Sequence, residues 1–131
     1  MTKHFYRGLA VAALLASGSA GAVTMKVGGL TGDSVRGQAA FAPCRACHVT
    51  DAGQNRVGPS LHGIVGRHSG IYPGFHYSAA NQKSGIVWTP DKMFAYLENP
   101  QKYVPGTKMT YAGLKDPQKR ADVITWLSTQ K

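Results

Sequence analysis

Apolar residues recur with the period of an α-helix in three parts of the chain, each preceded by a typical capping residue. One helix is predicted from the N-cap residue Asp33 as far as Pro43, and two more are predicted over 90–98 and 117–130. The last two begin with Thr or Asp followed by proline, which favours the first helical position. No run of strand length alternates between apolar and polar residues. The pattern therefore predicts an all-α domain with three main helices.

Short helical turns and long loops are predicted between these helices. Residues 78–83 form a candidate short helix closed by Gly85, and a further turn over 101–104 follows Asn99-Pro100. The segment 50–74 is rich in Gly, Pro, Asn and Ser, which predicts a loop with one turn of helix around 61–65. Loops of this length in a small domain are usually functional or wrapped around another group.

The first 22 residues have the composition of a secretory signal peptide. Lys3 and Arg7 give a positive start, residues 9–16 are all apolar, and Ala20-Gly21-Ala22 is an A-x-A cleavage site. The apolar run is far shorter than the ~20 residues that span a bilayer, which argues against a membrane anchor. We predict a cleaved signal peptide over 1–22, a flexible N-terminal arm over 23–32, one domain over 33–131, and export to the periplasm.

The strongest chemical motif is Cys44-Arg45-Ala46-Cys47-His48, which contains the only two cysteines of the sequence. C-x-x-C-H is the spacing of a c-type haem attachment site. If the stretch turns as a helix, positions i, i+3 and i+4 share one face. Cys44 and Cys47 can then form thioethers to the porphyrin vinyl groups while His48 binds the iron. The motif predicts one covalent haem c.

Other sites built from two cysteines fit the sequence less well. A thioredoxin-like redox pair needs a βαβ context, which the pattern around Cys44 lacks. A structural zinc site needs four ligands, and no second cysteine pair exists. A disulfide between Cys44 and Cys47 would leave His48 without a role.

A second axial ligand decides between electron transfer and gas binding or catalysis. Met109 is favoured because it ends a turn-rich segment, residues 104–109, far enough along the chain to reach the opposite haem face. Met93 lies on an amphipathic stripe, where methionine more often fills the core. The remaining candidates lie in the predicted arm and in loops: Met25, His62, His68 and His76.

The chain is basic, with 15 Lys and Arg residues, 6 Asp and Glu residues and a formal net charge of +9. Removal of Lys3 and Arg7 with the signal peptide leaves +7. A basic surface suits an acidic protein partner, a nucleic acid or an anionic membrane, and export argues against nucleic acid. The basic residues that flank the predicted haem segments are Arg45, Arg56, Lys102, Lys108 and Lys115. They form either a positive collar for an acidic partner or an ordinary solvated surface.

From Gly37 to Leu127 the sequence resembles a class I cytochrome c of the mitochondrial-like bacterial kind, the cytochrome c2 type. Phe41 stands three residues before Cys44, which is one residue closer than in the vertebrate mitochondrial pattern. This difference in spacing affects where the first helix is expected to end. The resemblance implies the class I cytochrome c fold, in which helices and long loops wrap one covalent haem. The segments that carry it are Cys44 to His48, Val57-Gly58-Pro59-Ser60-Leu61-His62-Gly63, Gly66-Arg67, Gly85-Ile86-Val87-Trp88, Tyr96-Leu97-Glu98-Asn99-Pro100 and Pro105-Gly106-Thr107-Lys108-Met109.

The resemblance also implies roles for individual residues. Pro59 would accept a hydrogen bond from the His48 ring and so strengthen that ligand. Tyr96 would bond the sulfur of Met109, with Asn81 beside it. Haem propionates are costly to bury without partners, and the residues that would bind them are Arg67, Tyr77, Trp88 and Thr107. The crossing of the first and last helices would involve Gly37, Phe41 and Trp126.

We therefore expect a soluble, monomeric periplasmic electron carrier with a His48/Met109-ligated haem c, and no enzyme. By resemblance, a cytochrome bc-type complex would be the donor and a photosynthetic reaction centre or terminal oxidase the acceptor. Each membrane complex would present an acidic docking face. Two other classes stay open: a haem enzyme or gas-binding protein with an open iron position, and an accessory subunit of a larger oxidoreductase.

Overall fold

The computed structural model describes residues 21–131, which contain five α-helices and one two-stranded sheet. The predicted signal peptide lies outside the described residues except for Gly21 and Ala22. Within the described part, no helix has the length and apolarity needed to cross a bilayer. In chain order the elements are β1 (Thr24–Val27), β2 (Leu30–Asp33), α1 (Ser34–Ala40), a 3₁₀ turn (Ala42–Ala46), α2 (Ala79–Lys83), α3 (Pro90–Glu98), α4 (Pro100–Tyr103) and α5 (Pro117–Leu127). The predicted domain of three main helices is confirmed, with α1, α3 and α5 as those helices.

Helices α1, α3 and α5 begin at the predicted residues, whereas α2 begins one residue later and α4 one residue earlier than predicted. All five helices share one kind of N-cap. The first residue is preceded by a polar side chain that accepts hydrogen bonds from the N–H groups of the first turn, and each such cap is worth about 1 kcal/mol. The caps are Asp33, Ser78, Thr89, Asn99 and Asp116. Helix α5 ends at Leu127 instead of the predicted Gln130, because the chain continues in single turns after its C-cap Ser128.

Helices α1 and α5 cross at Gly37, as the resemblance implies. A Cβ atom at Gly37 would overlap the carbonyl oxygen of Asp122, so only glycine lets the two backbones approach this closely. Beside the crossing, the rings of Phe41 and Trp126 pack with their centroids 4.7 Å apart. The inner side of α5 supplies the centre of the core with Val123, Ile124 and Leu127.

The N-terminal arm is an antiparallel hairpin, so the prediction of a flexible segment is wrong. Strand β1 pairs with β2 from Thr24 opposite Asp33 to Val27 opposite Leu30. The two residues between the strands, Gly28 and Gly29, have φ values of 56° and 78°. Positive φ at both positions is what the favoured two-residue hairpin turn requires, and Gly-Gly between apolar residues is its sequence signal.

Contact with α5 orders this hairpin, because an isolated two-stranded hairpin is only marginally stable in water. Gly32 lies so close to Ala121 and Thr125 that a Cβ atom would overlap the carbonyl of one and the hydroxyl of the other. The Gln118 amide donates to the Thr31 carbonyl at 2.9 Å. Val27 is fully buried. The hairpin is therefore part of the folded domain.

Residues 50–77 form loops and turns, which confirms the loop predicted over 50–74. The turn expected around Leu61 is a single turn with a hydrogen bond from Ile64 N–H to the Leu61 carbonyl (3.1 Å), and no helix forms there. An antiparallel bridge between His68 and Val87 joins this loop region to the segment before α3. Backbone hydrogen bonds from Ser69 to Ile86 and from Trp88 to Arg67 thus join this loop region to the segment before α3.

Asp122 joins α5 to the start of α1, and we expect Asp122→Asn to lower the free energy of unfolding by about 2 kcal/mol at neutral pH. The buried carboxylate accepts hydrogen bonds from the Asp33 N–H, from two nitrogens of Arg36 and from Gln118. Burial alone would raise the pKa of Asp122, but these hydrogen bonds and the Arg36 charge hold it below its usual value. Solvent screens part of this interaction, because Arg36 is half exposed.

The sign of this shift sets the pH window in which the Asp122→Asn effect appears. A carboxyl with a lowered folded pKa stabilises the protein above its unfolded pKa of about 3.9, and the contribution disappears as the pH falls through the folded value. Urea unfolding of both proteins between pH 7 and pH 3 measures this, with the exposed Asp91→Asn as control. A difference that does not shrink at low pH would contradict the prediction.

Candidate haem site

The Cys44 to His48 stretch turns helically and carries the three predicted attachment side chains. The Cys47 and His48 N–H groups both donate to the Cys44 carbonyl, at 3.1 and 2.9 Å. Pro43 lies in the first turn of the 3₁₀ segment, which places a new helical start directly before the motif. Residues spaced i, i+3 and i+4 on such a turn share one face, so the two sulfurs and the imidazole can be presented together.

Cys44 and Cys47 are both unpaired and partly buried. Burial, with a smaller contribution from the neighbouring Cys47, raises the pKa of the Cys44 thiol to about 11. Redox-active C-x-x-C pairs depend on a lowered thiol pKa. The environment of Cys44 therefore does not suit a thioredoxin-like pair.

The His48 ring is oriented by the loop that follows it. Its Nδ1 atom lies 2.8 Å from the Pro59 carbonyl oxygen. Since a carbonyl can only accept, Nδ1 carries the proton and Nε2 keeps the lone pair that a metal needs. Burial, together with the charge of Arg67, lowers the pKa of His48 although the Pro59 bond opposes the shift. The neutral, ligating form is favoured.

Gly58 is a contributor to this site that the sequence analysis did not assign. A Cβ atom at Gly58 would overlap the His48 ring, and the Gly58 N–H donates to the Cys47 carbonyl at 2.9 Å. A glycine here therefore leaves room for the imidazole edge while its backbone holds the motif. The sequence offered one signal for this role, a glycine directly before Pro59. The local pattern does not show that this glycine lies against His48.

Met109 is brought together with Tyr96, Thr107 and Asn81. The Tyr96 hydroxyl donates to the Met109 sulfur at 3.0 Å. The Met109 N–H donates to the Thr107 hydroxyl (3.2 Å), which in turn donates to the Asn81 side-chain oxygen (3.1 Å). Burial raises the pKa of Tyr96 to about 12, so its hydroxyl stays a donor over the whole neutral range. Side chains from α2 and α3 thus fix both the backbone and the thioether of Met109.

Arg67, Tyr77 and Trp88 lie on the loops around this region. Arg67 donates to the carbonyls of Ser60 and His62, and its guanidinium carbon lies 4.2 Å from the centroid of the Tyr72 ring. The Tyr77 hydroxyl accepts from the Tyr72 N–H at 3.3 Å. No carboxylate in residues 21–131 forms an ion pair with Arg67. Burial lowers the pKa of the Arg67 guanidinium. A partly buried cation of this kind suits an anionic group supplied by a ligand.

Trp88 is buried and packs on the ring of Tyr96 with a centroid distance of 4.6 Å. Its backbone N–H donates to the Arg67 carbonyl at 2.8 Å. Trp88 therefore connects the Arg67 loop to the helix whose Tyr96 contacts Met109. Arg67, Tyr77 and Trp88 thus reach the same region from separate parts of the chain.

The other candidate ligands have separate structural placements. Met25 is paired with Gly32 inside the hairpin, and Met93 is a buried core residue of α3. The His62 Nδ1 atom lies 3.2 Å from the Thr50 carbonyl. His68 forms the bridge to Val87, and His76 is exposed. Within residues 21–131, none of these sulfurs or imidazole rings accepts a side-chain hydrogen bond like the one from the Tyr96 hydroxyl to the Met109 sulfur.

Known proteins match this chain over the folded domain. The Cytochrome c family model matches residues 34–131. Cytochrome c2 of Rhodopila globiformis is 62% identical over 101 residues, which is 76% of this chain and 95% of that protein. Cytochrome c type-1 of Ascaris suum is 50% identical over 100 residues, or 76% of this chain and 89% of that protein.

A solved structure extends the agreement to the fold. Cytochrome cH from Methylobacterium extorquens superposes with a TM-score of 0.71 at 44% sequence identity, covering 75% of this chain and 99% of that protein. The family match from Ser34 to the last residue includes the C-x-x-C-H motif and the helices around it. The chain belongs to the cytochrome c family of haem c electron carriers.

Proposed function

We propose that this protein is an exported electron carrier with one haem c, bound through Cys44 and Cys47 and ligated by His48 and Met109. The contact that carries the proposal is the hydrogen bond from Tyr96 to the Met109 sulfur. Met109 ends a turn-rich loop, and its thioether has a dedicated hydrogen-bond donor. This arrangement suits a metal ligand better than a residue that fills the core. Two thiols, an imidazole with Nε2 unprotonated and this thioether form a donor set that fits a covalent haem.

A bound haem would supply a reversible one-electron couple, and residues of this chain would hold the His48 and Met109 side chains in place in each oxidation state. Pro59 and Gly58 hold the His48 ring. Tyr96 and Thr107 hold Met109 from its side chain and its backbone. When neither ligand has to move, the structural rearrangement that accompanies electron transfer is small. Methionine ligation would also raise the reduction potential.

Four residues would receive the carboxylates of the haem. Arg67 supplies a positive charge without a carboxylate partner among residues 21–131. The other polar groups in our proposal are those of Tyr77, Trp88 and Thr107. Asn81 would support the same region through its hydrogen bonds to Thr107 and Ser69. These side chains would offset the cost of burying the propionates.

We further propose that the carrier acts as a monomer in the periplasm after cleavage of residues 1–22. Its donor would be a cytochrome bc-type complex and its acceptor a photosynthetic reaction centre or a terminal oxidase. A basic net charge supports an acidic docking face on both partners. The similarity to a bacterial cytochrome c2 supports the same assignment.

The test of this function is ligand binding and redox titration of the purified holoprotein. We expect low-spin, six-coordinate iron in both oxidation states, a reversible one-electron titration, and poor binding of carbon monoxide by the ferrous protein at neutral pH. Fast and tight carbon monoxide binding would instead support a gas-binding protein or haem enzyme. Size-exclusion chromatography checks the monomer against an accessory subunit.

The basic collar, defined as Arg45, Arg56, Lys102, Lys108 and Lys115, leads to a kinetic prediction. All five residues are exposed. We expect Lys102→Glu or Lys108→Glu to slow association with an acidic redox partner about tenfold at low ionic strength. Stopped-flow kinetics across a salt series measures this, because the Debye length is about 8 Å at physiological ionic strength.

The matched control for the collar is Lys131→Glu, which makes the same charge change at the exposed end of the chain. The rate of the wild-type protein should fall steeply as salt rises, and the control should behave like the wild type. Equal slowing by Lys131→Glu and Lys108→Glu would mean that only net charge matters. A rate that is independent of salt would remove the support for electrostatic docking.

A further inference from the structure

Arg120 is a buried cation on α5 whose hydrogen bonds go to the loop that follows Met109. Its side chain is only 5% exposed. The Nη1 atom donates to the carbonyl oxygens of Leu114 at 2.8 Å and Lys115 at 3.0 Å. Because α5 begins at Pro117, the guanidinium reaches back over the start of its own helix to hold this loop.

The charge of Arg120 has no equally buried carboxylate beside it. Its Nη2 atom lies 3.9 Å from a carboxylate oxygen of Glu98, whose side chain is 61% exposed. Its Nε atom is buried and has no hydrogen-bond partner within residues 21–131. The guanidinium carbon lies 4.4 Å from the centroid of the Phe94 ring on α3. Burying a weakly paired cation is costly, so the hydrogen bonds from Arg120 to the loop must offset part of that cost.

Two further hydrogen bonds fix the same loop to the C-terminal end of α3. The Leu114 N–H donates to the Leu97 carbonyl at 2.7 Å, and the Lys115 amine donates to the Glu98 carbonyl at 2.6 Å. A Cβ atom at Gly113 would overlap the Glu98 carbonyl, so the backbone passes directly against the helix end. Arg120 therefore completes an attachment that begins shortly after Met109.

The same part of α3 carries the hydroxyl that contacts the Met109 sulfur. Tyr96 lies in the last turn of α3 and donates to that sulfur at 3.0 Å. A loop that separated from the end of α3 would also carry Met109 away from Tyr96. Contacts at residues 113–115, which include two hydrogen bonds from Arg120 Nη1, therefore bear on the position of Met109.

We propose that Arg120 is a positioning residue for Met109. Arg120 fixes the Leu114 and Lys115 carbonyls between α5 and α3, and so keeps residues 105–115 closed against these helices. No hydrogen bond joins Arg120 to Met109, so Arg120 acts through the loop. Loss of its donors would increase the fraction of molecules in which the loop opens and Met109 leaves the iron. This inference rests on the proposed ligation by His48 and Met109.

The test is the binding of imidazole to the ferric holoprotein of Arg120→Met at one fixed pH. The methionine side chain keeps apolar packing against Phe94 and removes every donor. Imidazole binds only when Met109 has moved away, so the apparent affinity increases with the open fraction. We expect about tenfold tighter imidazole binding in Arg120→Met. Amide hydrogen exchange across residues 105–115 should become faster as well.

Arg120→Lys is the conservative variant, because it keeps the positive charge and one possible donor. It should lie between the wild type and Arg120→Met in both measurements, and it decides the question if Arg120→Met does not accumulate as folded protein. Arg36→Met is the matched control, because it removes an arginine that bonds Asp122 at the crossing of α1 and α5. It should lower global stability and leave imidazole affinity unchanged.

Two results would overturn the positioning role. One is wild-type imidazole affinity in the Arg120 variants. The other is an equal change in Arg36→Met at the same loss of stability, since that change would reflect stability alone. Failure of the ligation itself has a different readout: Met109→Ala would then bind imidazole with the affinity of the wild type.

Discussion

Met109→Ala is expected to bind carbon monoxide in the ferrous state on the order of a hundredfold more tightly than the wild-type protein. With Met109 as the proposed ligand, whose sulfur accepts a hydrogen bond from Tyr96, removal of the thioether would leave the sixth iron position open. The reduction potential should fall, since a methionine ligand favours ferrous iron. Carbon monoxide titration, the visible spectrum and a redox titration measure the three effects.

The control for this variant is Met93→Leu, which replaces the buried methionine of α3 with a residue of similar volume. It should keep the spectrum and the weak carbon monoxide binding of the wild-type protein, with a small loss of stability at most. If Met109→Ala leaves the visible spectrum unchanged, Met109 is not the ligand. A changed spectrum in Met93→Leu would point to the alternative that the sequence analysis left open.

Gly37→Val is expected to destabilise the fold by about 3 kcal/mol, through overpacking at the crossing of α1 and α5. The new Cβ atom would meet the Asp122 carbonyl oxygen, which belongs to a helix backbone and cannot rotate away. The two helices would have to separate, and the ring contact between Phe41 and Trp126 would be lost with them. Guanidinium unfolding followed by circular dichroism measures the change.

Gln38→Val is the matched control for the helix crossing. It introduces the same side chain into the same helix at an exposed position, so it costs only the lower helix propensity of valine, about 0.5 kcal/mol. A comparable loss in both variants would mean that helix propensity, and not the close approach at Gly37, explains the effect of Gly37→Val.

The helices and the attachment motif were predictable because their signals are local. Asp116 accepts hydrogen bonds from the N–H groups of Gln118 and Lys119, so the residues that start α5 are neighbours in the sequence. The Cys44 to His48 motif likewise needs only one helical turn to bring its side chains together. In both cases the backbone geometry of a few residues is enough for the inference.

The roles of Gly58, of the N-terminal hairpin and of Arg120 depend on distant parts of the chain. Gly58 is required because the His48 ring lies against it, and the hairpin is ordered because Gly32 packs on α5. In the sequence, Arg120 resembles an exposed arginine of a helix. The structure shows that it donates hydrogen bonds to the Leu114 and Lys115 carbonyls. A one-dimensional pattern contains no information on which surfaces meet after the loops close.

The amino-acid order therefore established the starts of the main helices, the haem-binding chemistry and the preference for Met109 as a ligand. These follow from capping, from side-chain spacing and from donor chemistry, all of which act over a few residues. The folded chain decided which groups hold the His48 and Met109 side chains. Packing brings Pro59 to His48, Tyr96 to Met109 and Arg120 to the loop beyond it. Such contacts form only when burial of apolar surface offsets the entropy of closing the loops between them.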